Sequence, residues 1–168
     1  MRKKTKKIAF LGLSVALALI LSYVESLLPP LSAAVPGIKM GLPNIVIIFL
    51  LYRLSGKEAF GVSIVRIFLN FMLFGNPMTV AYSVAGAILS LCVMALMKRI
   101  DLFSTVGVSI AGGIFHNLGQ IIVAMIVLST KEIGYYMIVL SVSGTVAGIL
   151  IGLAGALLLK YTKRMKLN

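Results

Sequence analysis

Residues 62–74 read VSIVRIFLNFMLF. Apart from Ser63, Arg66 and Asn70, every side chain in this stretch is apolar. A run of this kind is built to sit in hydrocarbon, yet it carries a guanidinium near its middle. Placing a charge at the centre of a membrane helix costs about 2.5–3.5 kcal/mol on insertion scales. Arg66 therefore has to face the interior of a helix bundle rather than lipid. It lies about 12 Å along the helix axis from Glu58. Asn70, one turn further on at i+4, shares its face.

The rest of the chain has the same character. Of 168 residues, 60% are hydrophobic and only 12% are charged, and the mean hydropathy is +1.09. A soluble domain carries about twice that share of charge. The charges fall at the borders of long apolar runs, which is the pattern of a polytopic membrane protein. A net charge of +12 raises the question of nucleic acid. Such proteins, however, place their basic residues on a solvated, structured face. Here they sit in short flanks between apolar segments, where they set orientation and meet anionic lipid headgroups. No nucleic-acid role is expected. Cys92 is the single cysteine, so no internal disulfide can form.

A membrane helix needs about 20 apolar residues to cross about 30 Å of hydrocarbon. Six spans are expected: Ile8–Leu28, Met40–Leu54, Glu58–Phe74, Met78–Met97, Ser104–Leu128 and Ile133–Leu159. With the N-terminus inside, thirteen Lys and Arg residues fall on inner flanks and two, Lys39 and Lys131, on outer flanks. The positive-inside rule then puts both termini in the cytoplasm. Ile8–Leu28 is long for the apolar core of a signal peptide and reads as a retained first helix. The expected fold is an all-α integral membrane protein forming one transmembrane domain over residues 1–168.

Two segments interrupt this regularity. Pro29–Leu42, PPLSAAVPGIKMGL, holds three prolines and two glycines, which rule out a continuous helix. It is apolar for an aqueous loop, and reads either as a plain connector or as a lid folded over an outward-facing pocket. The second span is short. From Pro43 to Leu54 a helix covers only about 18 Å, and proline-interrupted short segments point to binding sites in transporters. Small residues at four-residue spacing mark close helix packing. Gly144, Gly148 and Gly152 read as internal packing of the last helix. Gly12 and Ala16 on the first suit either internal packing or contact with another membrane subunit.

The fifth span carries a polar set to match Arg66 and Asn70, namely His116, Asn117 and Gln120. Glu25, Asn44, Asn76 and Tyr82 lie in the outer part of their spans, and Lys39 lies in the loop above. Together these residues are expected to form a polar centre in the middle and outer membrane. One reading is structural: Arg66 pairs with Glu25 or caps carbonyls, and the amides join neighbouring helices. The other is an outward-facing site for a small polar or anionic molecule, since intramembrane ionisable residues are functional candidates by default.

Some chemistry is unfavourable from the outset. The four acidic residues, Glu25, Glu58, Asp101 and Glu132, are dispersed along the chain. A magnesium–diphosphate enzyme needs clustered carboxylates to hold its metals. One Cys and one His make no zinc site. The phosphate-loop pattern is absent around Gly56-Lys57. The chain is therefore expected to be no enzyme, to hold no metal or cofactor, and to draw any transport energy from separate subunits or an ion gradient.

The stretches SYVESLLPPL (22–31), PGIKMGLPNI (36–45) and GKEAFGVSIVRIFLNFMLFG (56–75) resemble those of small bacterial membrane proteins of the Gx transporter family. These are also called heptaprenyl diphosphate synthase component I. That family is similar to the substrate-binding S-components of energy-coupling factor transporters. The resemblance implies a six-helix bundle in the bacterial cell membrane that binds a nutrient or cofactor precursor from outside. It also implies a transmembrane coupling subunit driven by two ATPase subunits. Docking would use small residues on the first helix, here Ala9, Gly12 and Ala16. Leu13 departs from the Ala-x-x-x-Ala spacing after Ala9. The family's synthase name suggests instead an accessory role beside a soluble prenyl synthase, and a third reading is a scaffold subunit of a larger membrane redox or transport complex.

Overall fold

A computed structural model describes residues 2–27, 41–74, 77–129 and 131–163. Among these residues the chain is all helix. In order, the elements are α1 (Arg2–Leu27), α2 (Asn44–Arg53), α3 (Gly56–Phe74), α4 (Pro77–Ile100), α5 (Thr105–Leu128), a 3-10 helix (Lys131–Tyr136) and α6 (Met137–Tyr161). Four helical stretches are long and apolar enough to cross a membrane: Lys4–Leu27, Pro77–Ile100, Thr105–Leu128 and Lys131–Tyr161. α3 is the 19-residue helix that carries Lys57, Glu58 and Arg66.

The boundaries have local causes. Ser104 caps α5, its hydroxyl accepting from the Gly107 N–H at 3.1 Å, which satisfies one of the free donors of the first turn. Asp101 and Ser129 take left-handed φ values of 55° and 50° just past α4 and α5. That conformation reverses the chain and ends a helix.

In two expected spans the α-helix covers only part of the length. The second is a helix only over Asn44–Arg53, shorter than Met40–Leu54. At 1.5 Å per residue it extends about 15 Å. The sixth is not one continuous helix over Ile133–Leu159, because the chain runs as a 3-10 helix to Tyr136 before α6 begins at Met137.

The short α2 is the hub of the molecule. It lies between α3 and α6, which are the ends of an arc α3–α4–α5–α6, while α1 packs against α3 and touches α2. Val46 through Leu51 are all buried. They join Ala18, Ala59, Val62, Leu91, Met94, Val108, Ala147 and Ile151 in one core fed by all six helices.

α5 and α6 approach at backbone distance. A Cβ on Gly113 would stand 2.4 Å from the Gly144 carbonyl oxygen, and one on Gly148 would stand 2.5 Å from the Ile110 Cα. The glycine spacing of the last helix is thus internal packing. α6 is also inside-out compared with a water-soluble helix. Its buried side holds Gly144, Ala147, Gly148, Gly152 and Gly155 beside Leu140 and Ile151, while Val142, Val146, Leu150, Leu153 and Leu157 are exposed. Water would select the reverse. Small residues inside and branched ones outside suit a helix surrounded by lipid.

The helix ends sort by charge. Lys7 on α1 pairs with Glu58 on α3 at 2.5 Å. Arg53 at the end of α2 donates to the Thr162 carbonyl beyond α6 at 2.9 Å. Lys98 near the end of α4 donates to the Leu51 carbonyl of α2. These contacts bring Lys7, Arg53, Lys57, Lys98, Arg99, Lys160 and Lys163 to one end of the bundle.

Candidate functional site

α3 presents one inward stripe, Ala59, Val62, Ser63, Arg66 and Ile67, all buried. The spacing is that of a single helical face. Phe60, Val65, Phe68 and Met72 point the other way and are exposed. Arg66 is therefore carried inward by the same periodicity that carries its apolar neighbours. Its partner helix α1 buries Ser14, Ala18, Ser22 and Glu25.

Arg66 Nη1 donates to Ser22 Oγ at 3.0 Å. That hydroxyl in turn donates to the Ala18 carbonyl at 3.0 Å, so it accepts and donates at once. Glu25 lies one turn further along α1, and its charge attracts the Arg66 guanidinium. Glu25 Oε1 also accepts from the Gly41 N–H, tying α1 to the turn that opens α2. Gly41 has φ +83°, and a Cβ there would stand 2.8 Å from Asn44 Nδ2. The positive φ demands glycine at this point. The Gly41 carbonyl accepts from the Asn44 N–H at 2.8 Å.

On the other side, α5 buries His116, Asn117 and Gln120. His116 fits a depression at Gly86 of α4, where a Cβ would stand 2.9 Å from the ring. Its Nδ1 is turned toward the Gly86 backbone without reaching hydrogen-bond geometry. Asn117 has a different duty. Its Nδ2 donates to the Leu140 carbonyl of α6 at 2.8 Å, joining two helices.

Four side-chain atoms in this region are buried without a hydrogen-bond partner: Arg66 Nε, Ser90 Oγ, His116 Nδ1 and Gln120 Oε1. Each such atom costs about 1–3 kcal/mol unless something satisfies it. Atoms left in this state are candidates for water or a polar ligand.

The other expected site residues are distributed as follows. Asn70 is half-buried one turn beyond Arg66, and Asn44 is half-buried at the start of α2. Tyr82 packs in a second apolar cluster with Ile121, Ala124, Ile133 and Leu140. Lys39 and Asn76, and with them most of the Pro29–Leu42 segment, lie outside the described residues. Ala9, Gly12 and Ala16 are exposed on α1, with open space beside Gly12.

Ser22 and Ser90 were not anticipated from the sequence. The signal for Ser22 is its i+3 spacing to Glu25 and i−4 spacing to Ala18 on the inward face of α1. Among the described residues no three His, Cys, Asp or Glu side chains come together. The four acids sit on separate elements: Glu25 on α1, Glu58 on α3, Asp101 after α4 and Glu132 in the 3-10 helix. Two recesses lie at the basic end. One, of about 380 Å³, runs between α1 and α3 beside Gly61 and Val65. The other, of about 470 Å³, lies between the ends of α2 and α4.

Residues 14–158 match the family described as heptaprenyl diphosphate synthase component I. The chain belongs to that family. The match runs from the inward serine face of α1 almost to the end of α6, so it includes every residue of the polar centre. Comparison with curated proteins and with solved structures found no match.

Proposed function

We propose that this family member is a six-pass, non-catalytic membrane protein whose polar centre binds a small polar or anionic molecule. The bound molecule is a nutrient or cofactor precursor taken from the outer side, as in the S-components of energy-coupling factor transporters. Energy comes from a coupling subunit and two ATPase subunits, docked against the exposed Ala9, Gly12 and Ala16 of α1. The protein sits in the bacterial cell membrane with both termini in the cytoplasm.

The observation that carries this reading is that α3, α4 and α5 each bury unpartnered polar side-chain atoms, Arg66 Nε among them. The gathering of basic residues at one end of the bundle supports the orientation. The S-component likeness itself rests on the sequence resemblance alone. The site residues proposed for the ligand are Arg66, His116 and Gln120, with Glu25, Asn44, Asn70, Asn117, Tyr82, Lys39 and Asn76 around them.

The test is mass spectrometry of small molecules released from gently purified protein, followed by binding with any species found. Arg66→Ala and Asn70→Ala are expected to abolish retention. A protein that carries nothing, and binds nothing across a panel of vitamins, flavins and quinone precursors, would refute the proposal.

Family membership favours a second reading, in which the chain is the membrane accessory of a soluble prenyl diphosphate synthase. That reading expects co-purification with the synthase and a change in its rate or product length. A synthase indifferent to the membrane component argues against it.

A further inference from the structure

The recess of about 470 Å³ between α2 and α4 has a composition that the polar centre does not explain. Its apolar wall is made by Leu51 and Leu54 at the end of α2 and by Ala95 on α4. Its polar wall carries Lys57, Lys98 and Arg99. No carboxylate lies among its described lining residues. Of the two acids nearest along the chain, Glu58 is already occupied by Lys7 and by the Ser55 hydroxyl, and Asp101 follows α4 outside the lining.

The three cations arrive from two elements, and one of them is fixed. Lys98 donates to the Leu51 carbonyl and stands 5.3 Å from the centre of the Tyr52 ring. Lys57 and Arg99 are exposed and have no ion pair among the described residues. α3 also begins here, at Gly56, and adds the partial positive charge of a helix start. The recess lies ten residues from Arg66, about 15 Å along the α3 axis. It is at the basic end of the bundle, where apolar helices give way to charge.

We infer that this recess binds the phosphate headgroup of a membrane amphiphile. Lys57, Lys98 and Arg99 hold the phosphate, and the first part of the apolar chain lies along Leu51, Leu54 and Ala95. A fully solvated anion has no use for an apolar wall, and a neutral lipid has no use for a cationic one. Basic recesses between membrane helices are established headgroup sites in general. The inference is independent of the ligand role given to Arg66.

The experiment is native mass spectrometry of the full chain, released from nanodiscs containing phosphatidic acid and phosphatidylcholine in equal amounts. The wild type is expected to retain phosphatidic acid preferentially. Lys57→Gln/Arg99→Gln spares Lys98 and its contact with α2. It should lower that preference about thirtyfold, the effect of two basic groups at a membrane surface. Lys160→Gln/Lys163→Gln, at the same end but outside the recess, should leave it unchanged.

Equal losses in the two double variants would mean diffuse attraction to the whole basic end and would overturn the site. Retention of both lipids alike by the wild type would overturn it too. Inorganic pyrophosphate separates the two sources of phosphate. Pyrophosphate bound in detergent, with no preference for phosphatidic acid in nanodiscs, would assign the recess to a free anion and reject the amphiphile. Arg66→Ala should not alter the lipid preference, so the two sites fail or succeed separately.

Discussion

At the scale of single residues, the decisive feature is that Arg66 is buried with only part of its donor capacity used. Nη1 is satisfied by Ser22, and Glu25 supplies opposite charge, yet Nε has no partner. Structural and ligand-binding roles can be separated here. Glu25→Gln keeps an acceptor for the Gly41 N–H but removes the charge facing Arg66. It is expected to destabilise the protein by about 1–3 kcal/mol, read as a lower unfolding midpoint in detergent. Replacing both partners, as in Glu25→Gln/Arg66→Met, should recover much of that loss, because an apolar substitute for a buried charged pair is often neutral. If Arg66 exists for ligand, the recovered double variant will still bind none. Full stability together with full ligand retention would remove Arg66 from the site. The inward direction of Arg66 was legible because insertion energetics leave a mid-helix charge no other place. The His116–Gln120 pair was legible from its i, i+4 spacing. The bond from Asn117 to Leu140 was not, because a carbonyl acceptor on another helix leaves no trace in side-chain type.

At the scale of elements, helix packing follows the distribution of glycine, and the two glycine stripes have opposite meanings. On α6 they meet α5 backbone, while beside Gly12 of α1 there is open space. Gly148→Leu should force α5 and α6 apart and cost about 1–3 kcal/mol or more, as overpacking does. Gly12→Leu should stay within about 0.5 kcal/mol of wild type. Thermal unfolding of the two variants side by side checks this, and a Gly12→Leu protein as damaged as Gly148→Leu would mean that the α1 face is covered by its own chain. The sequence could not tell these cases apart, since small residues at four-residue spacing look alike whether the neighbour is internal or external. The short second span was legible from Pro43. The division between the 3-10 helix and α6 was not, because hydropathy is continuous across Tyr136 while the hydrogen-bonding register changes there.

At the scale of the whole molecule, the basic residues and the contacts between helix ends tell one story. Lys7–Glu58, Arg53–Thr162 and Lys98–Leu51 bind five chain segments into one cationic end. Lys131 follows α5, whose start at Thr105 lies near the cationic Lys98–Arg99 segment. An odd number of passes would separate the two termini, whereas Arg53 contacts the segment beyond α6 and Lys7 contacts the start of α3. The proposed six-pass arrangement predicts a labelling pattern with both termini alike. Cys92 is exposed, so the background is Cys92→Ala. In intact cells Lys6→Cys and Lys160→Cys should resist a membrane-impermeant maleimide until the membrane is broken, while Lys131→Cys should react at once. The positive-inside rule gives the direction. The pairing of Lys6 with Lys160 tests the pass number separately. If both label from outside, the bundle is inverted with an even number of passes. If they label from opposite sides, one helix fails to cross, and α2 is the first suspect because its length of about 15 Å is half the hydrocarbon thickness. It can reach both surfaces only through the segments at its two ends, or by lying where α1, α3 and α6 shield it from lipid.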